Sequence, residues 1–341
     1  MVISNQLAPV LCLFLITPLI AEYLLGNVPV TWIVLLPILS LLYGSGAVLV
    51  REIARRNGRG WPTMVTLALA YAVVEEAFAT QSWFNPNFAG HRLLDYGYVA
   101  SLGTSPSWII SVVILHVAWS ICTPIALTEV LFTKRRLEPW LSTKGLCVVG
   151  ALFIASIALL MAHFITKDQF VASPSQFAVS GVAVVMAIVA AFVLFPARPV
   201  APAFGADSRE APRVSNTKLA PNPWVLCATT LAAGSAFYMI QEFAPKSGVP
   251  AWLTAILSLS LAFGVLCLIE RSARHSDWSD RHRFSLGSGA VLVYCWWGFA
   301  IEADIYGTGA LPGRVLLVLI ALGFLVRTGR RLQRPKAKMH P

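Results

Sequence analysis

The chain has 341 residues, of which 57% are hydrophobic and 12% charged, and its 26 Lys and Arg against 16 Asp and Glu give a net charge of +10. Soluble domains carry about 25% charged and 45–50% apolar residues. This composition, with a mean hydropathy of +0.70, excludes a water-soluble enzyme, a disordered chain and an aqueous nucleic-acid-binding domain, and it indicates an all-α polytopic membrane protein.

A bilayer core of about 30 Å needs about 20 apolar residues per helix. Breaking the chain at polar, Pro and Gly clusters predicts about ten spans, roughly 7–26, 28–50, 63–84, 107–132, 145–166, 174–196, 223–243, 250–270, 285–306 and 312–328. The first run, Leu7 to Leu25, has no basic segment before it and is long enough to cross, so it is expected to be a retained helix. Residues 197–222 hold Pro199, Pro202, Pro212 and Pro221 among mixed charges and read as a flexible cytoplasmic linker. It divides a six-span bundle over 1–196 from a four-span bundle with a basic tail over 223–341.

Charge sets the expected orientation. Of the 26 Lys and Arg, 22 follow the even-numbered spans or lie in the tail, and only Arg92, Lys167, Lys246 and Arg314 fall on the other side. The positive-inside rule then puts both termini in the cytoplasm, in a cell membrane. Anionic lipid heads at the cytoplasmic face, rather than nucleic acid, are the expected partner of the excess charge. Trp32, Trp83, Trp108 and Trp252 fall at outer span ends and Trp61, Trp140, Trp224 and Trp278 at inner ends, as an interfacial belt requires. Trp119, Trp296 and Trp297 lie mid-span and need packing or a polar partner. All six cysteines sit in apolar runs with no Cys-x-x-Cys pair, and read as small buried side chains.

Spans seven to nine echo spans one to three: Glu242-Phe243 matches Glu22-Tyr23, Ile256-Leu257-Ser258 matches Ile38-Leu39-Ser40, and Glu302 with Asp304 stands where Glu75 and Glu76 do. A parallel internal repeat is one reading; chance likeness of Leu/Ala/Val-rich helices is the other. The string Gly-Ser-Gly-Ala-Val-Leu-Val occurs at 44–50 and at 287–293 in spans of opposite direction, as two small-residue packing faces would.

Ionisable residues inside the bilayer cost at least about 2.5–3.5 kcal/mol each on insertion scales, so they need partners or a purpose. At about 1.5 Å per residue, Glu75 and Glu76 lie about 20 Å from the inner boundary and His116 about 13 Å below the outer one, similar depths on consecutive spans. Glu22, His163, Glu242, Glu302 and Asp304 fall nearer the outer boundary. This distribution predicts a polar cavity opening outward and an inner half almost free of charge. Glu129 is expected in a solvated pair beside Lys134. Adjacent glutamates point about 100° apart on an α-helix, so Glu75 and Glu76 are not expected to face one ligand together. His116, Ser120 and Thr123 share a face of span four, and Pro124 should kink it. The outer loop 85–106, with His91, Arg92, Asp95, Tyr96 and Tyr98, reads as a surface loop or a lid.

Glu75-Glu76 on one span, with His116 and His163 on later spans, resembles the CAAX-protease-like family of intramembrane peptidases. The resemblance implies that a glutamate pair and histidines arrange a metal or a catalytic water within the bilayer. The chain has Thr80 where that pattern carries an arginine and Val112 where it carries a phenylalanine. His116 and His163 are followed four residues later by Ser120 and Lys167 instead of Asn or Asp. Tyr-Gly-Ser-Gly at 43–46 and Arg-Gly-Trp-Pro at 59–62 look more like an uncharacterised bacterial membrane-protein family.

Three readings follow. In an intramembrane hydrolase, Glu75 or Glu76 is the general base, His116 with His163 binds a divalent metal such as zinc or stabilises an oxyanion, and Glu22, Gln81, Ser120 and Glu302 contact substrate. In a proton- or cation-coupled transporter, the same carboxylates serve alternating access. In a scaffold or assembly factor, they only pair helix to helix.

Overall fold

The computed structural model describes residues 7–197 and 219–333. Most of the expected linker over 197–222 and the end of the basic tail lie outside these residues. Among the described residues ten long helices follow one another: α1 (Ala8–Leu24), α2 (Val30–Arg56), α3 (Trp61–Ala79), α4 (Pro106–Leu131), α5 (Thr143–Asp168), α6 (Pro174–Val193), α7 (Pro223–Lys246), α8 (Ala251–Ala273), α9 (Asp280–Tyr306) and α10 (Thr308–Gln333). All but α1 are long and apolar enough to cross a membrane, and α1 is apolar but shorter. No strand forms among the described residues. Helices are the form such runs must take, because lipid offers no partner to a bare backbone.

The helices sort into a centre and a rim. In α2, α3, α4 and α9 half or more of the apolar stretch is buried within the protein. On α5, α6, α8 and α10 most of it faces outward, with Val148, Ile154, Val179, Phe263 and Leu319 exposed. Central α4 packs against α1, α2, α3, α8 and α9. One apolar core joins α1, α2, α3 and α5 around Leu13, Tyr43, Met64 and Tyr71. A second joins Ile20, Leu24, Trp119 and Leu127 to Phe237, Val293, Tyr294 and Trp297 of the C-terminal helices. Both copies of the Gly-Ser-Gly string lie at close crossings: a Cβ on Gly44 would sit 2.2 Å from the Phe14 carbonyl oxygen, and one on Gly289 2.5 Å from that of Cys227.

The mid-span tryptophans are packed as expected. Trp119 stacks on Tyr294 at 5.2 Å and its indole N–H donates to the Ala290 carbonyl at 2.9 Å, while Trp296 donates to Ser235 at 3.0 Å. The belt is only partial. Trp32, Trp224 and Trp252 are exposed, but Trp83, Trp140 and Trp278 are buried. All six cysteines are free thiols, and Cys147 is exposed.

Charge at the arginine-rich ends of the helices departs most from expectation. Glu129 is buried and does not pair with Lys134. Its carboxylate accepts from both Nε and Nη2 of Arg55, at 2.9 and 2.7 Å, and from Nε of Arg51 at 3.3 Å. Arg51 is fully buried, lies 3.4 Å over the Trp140 ring, and donates to Glu52 and to the Arg135 and Arg136 carbonyls. Glu52 in turn accepts the backbone N–H of Trp140 and Leu141. Depth in a span gives height and not direction; these charges sit near one boundary but turn inward, where they satisfy each other and the connection between α4 and α5.

Removing one member of such a network strands the rest without water. Glu129→Gln should destabilise the protein by about 3–5 kcal/mol, whereas Lys134→Gln should change stability by no more than about 0.5 kcal/mol. Thermal unfolding in detergent measures both, and equal effects would contradict the network.

Candidate functional site

Four of the first helices carry a π-helical turn: Leu19–Leu24 in α1, Ser40–Gly44 in α2, Val74–Ala79 in α3 and His116–Cys122 in α4. Such a turn bonds i to i+5, inserts one extra residue and is enriched at functional sites. The local causes can be named. Pro18 immediately precedes the α1 turn and Pro124 follows the α4 turn by two residues, each removing a backbone donor. In α3 no proline lies near the turn, its one proline, Pro62, being in the first turn of the helix. There the Thr80 N–H reaches the Glu75 carbonyl at 2.9 Å and the Thr80 hydroxyl adds a second bond to it at 3.1 Å. The helix then ends because Gln81 takes a left-handed conformation, φ +56°.

These turns carry Glu22, Tyr43, Glu75 with Glu76, and His116 with Ser120, and they bring them together. His116 lies between the two glutamates. Its Nε2 is 2.6 Å from Glu76 Oε1, and its Nδ1 is 3.2 Å from Glu75 Oε2 and 3.1 Å from Ser120 Oγ. All four side chains are buried. The expectation that adjacent glutamates diverge is therefore corrected: within the widened i to i+5 turn, both carboxylates reach one imidazole. Glu76 is held on its far side by the hydroxyls of Ser82 and Thr80. Thr80 thus anchors Glu76 at the position where the resembled family pattern has an arginine.

The rings of Tyr43 and Tyr71 flank His116, with centroids 6.4 and 6.1 Å away. The Tyr43 hydroxyl donates to the carboxylate of Glu22, so the half-buried Glu22 joins the cluster through it. Two buried atoms here make no hydrogen bond within the protein, Glu75 Oε2 and the Tyr71 hydroxyl. One ligand atom from each of Glu75, Glu76 and His116 lies within 4.8 Å of the others, and this is the one such His/Cys/Asp/Glu group among the described residues. Two carboxylates and an imidazole suit a divalent cation such as zinc. Glu75 Oε2, which makes no hydrogen bond beyond its 3.2 Å contact with His116 Nδ1, leaves a donor for it, so these residues fit a metal.

The remaining sequence-predicted residues are placed elsewhere. His163 is exposed on α5 with its ring against Phe164, and it does not join the cluster. Gln81 is buried but its side-chain amide oxygen accepts the Ala172 N–H at 2.7 Å, tying the end of α3 to the connection between α5 and α6. Glu302 is buried 3.8 Å from Arg314, in a separate pair. Arg314 donates to the carbonyls of Tyr23, Leu24 and Tyr294, gripping the end of the α1 turn that bears Glu22. Glu242 pairs with Lys246 at the surface and Asp304 is exposed. So the ionisable groups do not share one outward cavity: Glu22, Glu75, Glu76 and His116 meet, and the others do not.

Loop 80–105 is strapped down rather than free. Asn85 and the Ala89 N–H bond Asp168, Thr104 bonds the Trp83 carbonyl, and the Tyr96 hydroxyl bonds the Val249 carbonyl at 2.6 Å. Tyr43, Tyr71, Ser82 and Arg314 were missed as site-forming residues. Tyr43 and Tyr71 could have been found by the depth arithmetic that grouped the glutamates with His116, and Arg314 by its being a lone cation at the start of a span.

Arg314→Met should leave Glu302 buried without its counter-charge and destabilise the protein by about 3–5 kcal/mol. Arg314→Met combined with Glu302→Gln should recover part of that loss. A double-mutant cycle on thermal unfolding reads the coupling, and simple additivity would contradict the pairing.

No curated protein and no solved structure matches the chain. A family model described as an uncharacterized membrane protein family matches residues 11–328, and the chain belongs to that family.

Proposed function

We propose that Glu75, Glu76 and His116 are the active centre of an intramembrane hydrolase. The observation that carries this reading is the buried imidazole of His116 set between two carboxylates, of which Glu75 touches the ring at 3.2 Å through an oxygen that makes no hydrogen bond. Buried charged groups in a bilayer are costly unless they serve a purpose, and acid–base hydrolysis needs a proton acceptor and a proton donor side by side.

The roles follow from what each group touches. Glu75 Oε2 is the acceptor for one proton of a water molecule; the water oxygen then bonds to the substrate carbonyl carbon. His116 gives a proton to the departing group as the scissile bond breaks, and Glu75 returns a proton to the imidazole. Glu76, fixed by Ser82 and Thr80, and Ser120, at the other ring nitrogen, hold the imidazole in plane. If a divalent metal is the resident cofactor, Glu75, Glu76 and His116 hold it, and it supplies Lewis acidity and a more acidic bound water. The resemblance to the CAAX-protease-like peptidases supports the same class of chemistry.

The lysine and arginine bias supports an orientation in a cell membrane with both termini cytoplasmic and the arginine-rich face against anionic lipid heads. The centre then lies in the extracytoplasmic half. A second reading, proton-coupled transport, is favoured by the Glu22–Tyr43 hydrogen bond, which extends the line of protonatable groups from the buried centre to a half-buried carboxylate.

Purified protein tests the hydrolase reading through zinc content and cleavage of two fluorogenic reporters, a transmembrane peptide and a single-chain acyl ester. The expected result is stoichiometric zinc or reporter cleavage in the wild type, lost in Glu75→Gln and His116→Ala by about a hundredfold or more in rate. A metal-free, inactive wild type, with variants that differ from it only in stability, would contradict it. Proton flux in liposomes abolished by Glu22→Gln would favour transport instead.

A further inference from the structure

A cavity of about 240 Å³ opens beside the centre, between α4, α7 and the loop 80–105. Leu93, Trp108, Val112, Leu115 and Phe237 form its apolar walls. Its size is a little below that of ordinary ligand sites, about 300–1,000 Å³. It is close to the candidate chemistry: the Trp108 indole N–H donates to Ser82 Oγ at 3.3 Å, and Ser82 bonds the Glu76 carboxylate. Leu115 lines it and immediately precedes His116 in the chain.

We infer that this cleft holds the hydrocarbon chain of a single-tailed amphiphile, with the polar end at the Trp108–Ser82 side. The inference deepens the hydrolase reading by naming a substrate class, and it rests on that reading only for the fate of the bound chain. The choice of occupant comes from the hydrogen bonds of the lining. The Tyr96 hydroxyl is taken by the Val249 carbonyl and Thr254, Ser111 donates to the Ser107 carbonyl at 2.7 Å, Gln241 donates to Ser258 at 3.0 Å, and Tyr238 donates to Tyr294 at 3.0 Å. The walls therefore have these groups already spent within the protein. An extended peptide would bring N–H and C=O groups into this space, where those left unpaired oppose binding. A hydrocarbon chain brings none, and gains from every apolar wall it covers.

The test is photolabelling of the full-length protein in detergent with a diazirine derivative of hexadecanoic acid, followed by peptide mapping. The expected result is saturable labelling confined to residues 93–96 of the loop, 107–115 of α4 and 237–245 of α7. Ser111→Phe and, at the rim, Gln241→Trp should each weaken it about tenfold by filling the cavity, with folding checked by thermal unfolding. If Ser111→Phe fails to fold, Gln241→Trp alone decides. Glu75→Gln, at a residue that bonds neither Ser82 nor Trp108, should label as the wild type does, so loss of hydrolysis and loss of chain binding are separately visible. Labelling that does not saturate, that spreads over the outward-facing α5 and α8, or that is unchanged in the filled variants overturns the inference. So does displacement of the probe by an apolar nonapeptide at lower concentration than by unlabelled hexadecanoate.

Discussion

The imidazole of His116 between the carboxylates of Glu75 and Glu76 is the interaction on which the rest depends. Two carboxylates on consecutive residues, buried in a bundle within lipid, repel each other and cannot be hydrated. One imidazole touching both turns that liability into a stable cluster. The backbone makes it feasible. A regular α-helix would send the two side chains about 100° apart, and the π turn of α3 draws them onto a common neighbour. The facing π turn of α4 presents His116 and Ser120 to them. Backbone irregularity of this kind is tolerated in a membrane protein only where it is shielded from lipid, and the four π turns lie in α1–α4 at the buried centre.

Around that cluster the molecule is arranged in shells. Tyr43 and Tyr71 enclose the imidazole, and Glu22 is attached through Tyr43. Arg314, with Glu302 beside it, holds the carbonyl end of α1 in place from α10. At the opposite ends of α2 and α4, the Arg51–Glu52–Arg55–Glu129 network locks the same two helices that supply Tyr43 and His116. Each buried charge therefore has a counter-charge or a set of carbonyls. The Glu75–His116–Glu76 group differs from the other two networks in holding a titratable imidazole between two carboxylates, with the Tyr71 hydroxyl left without a hydrogen bond beside it.

Much of this was legible in the sequence, and the gaps have physical causes. Ten helices stand where hydropathy and turn residues placed them, because a helix that must span hydrocarbon leaves a long unbroken apolar signature. Depth arithmetic brought Glu75, Glu76 and His116 to one level, where the structure has them in contact. The same arithmetic grouped His163 and Glu302 with them, and there it fails, because height along a helix says nothing about azimuth. His163 turns out towards the surroundings and Glu302 towards Arg314. The π turns left no periodic trace, since one extra residue per helix is invisible against a background of Leu, Ala and Val. Their marks were local: Pro18 and Pro124 flanking two of them, and Thr80 closing a third. The reversal at Glu129 has the same origin as that at His163, for a residue near the membrane boundary can face water or the bundle, and only packing decides.

The most direct measurement is an experimental structure of the full-length protein solved in the presence of zinc, with anomalous scattering at the zinc edge. The account predicts Glu75, Glu76 and His116 in mutual contact, with any anomalous peak about 2.0–2.2 Å from their donor atoms. Those three side chains separated from one another, with the peak elsewhere or absent, would contradict it.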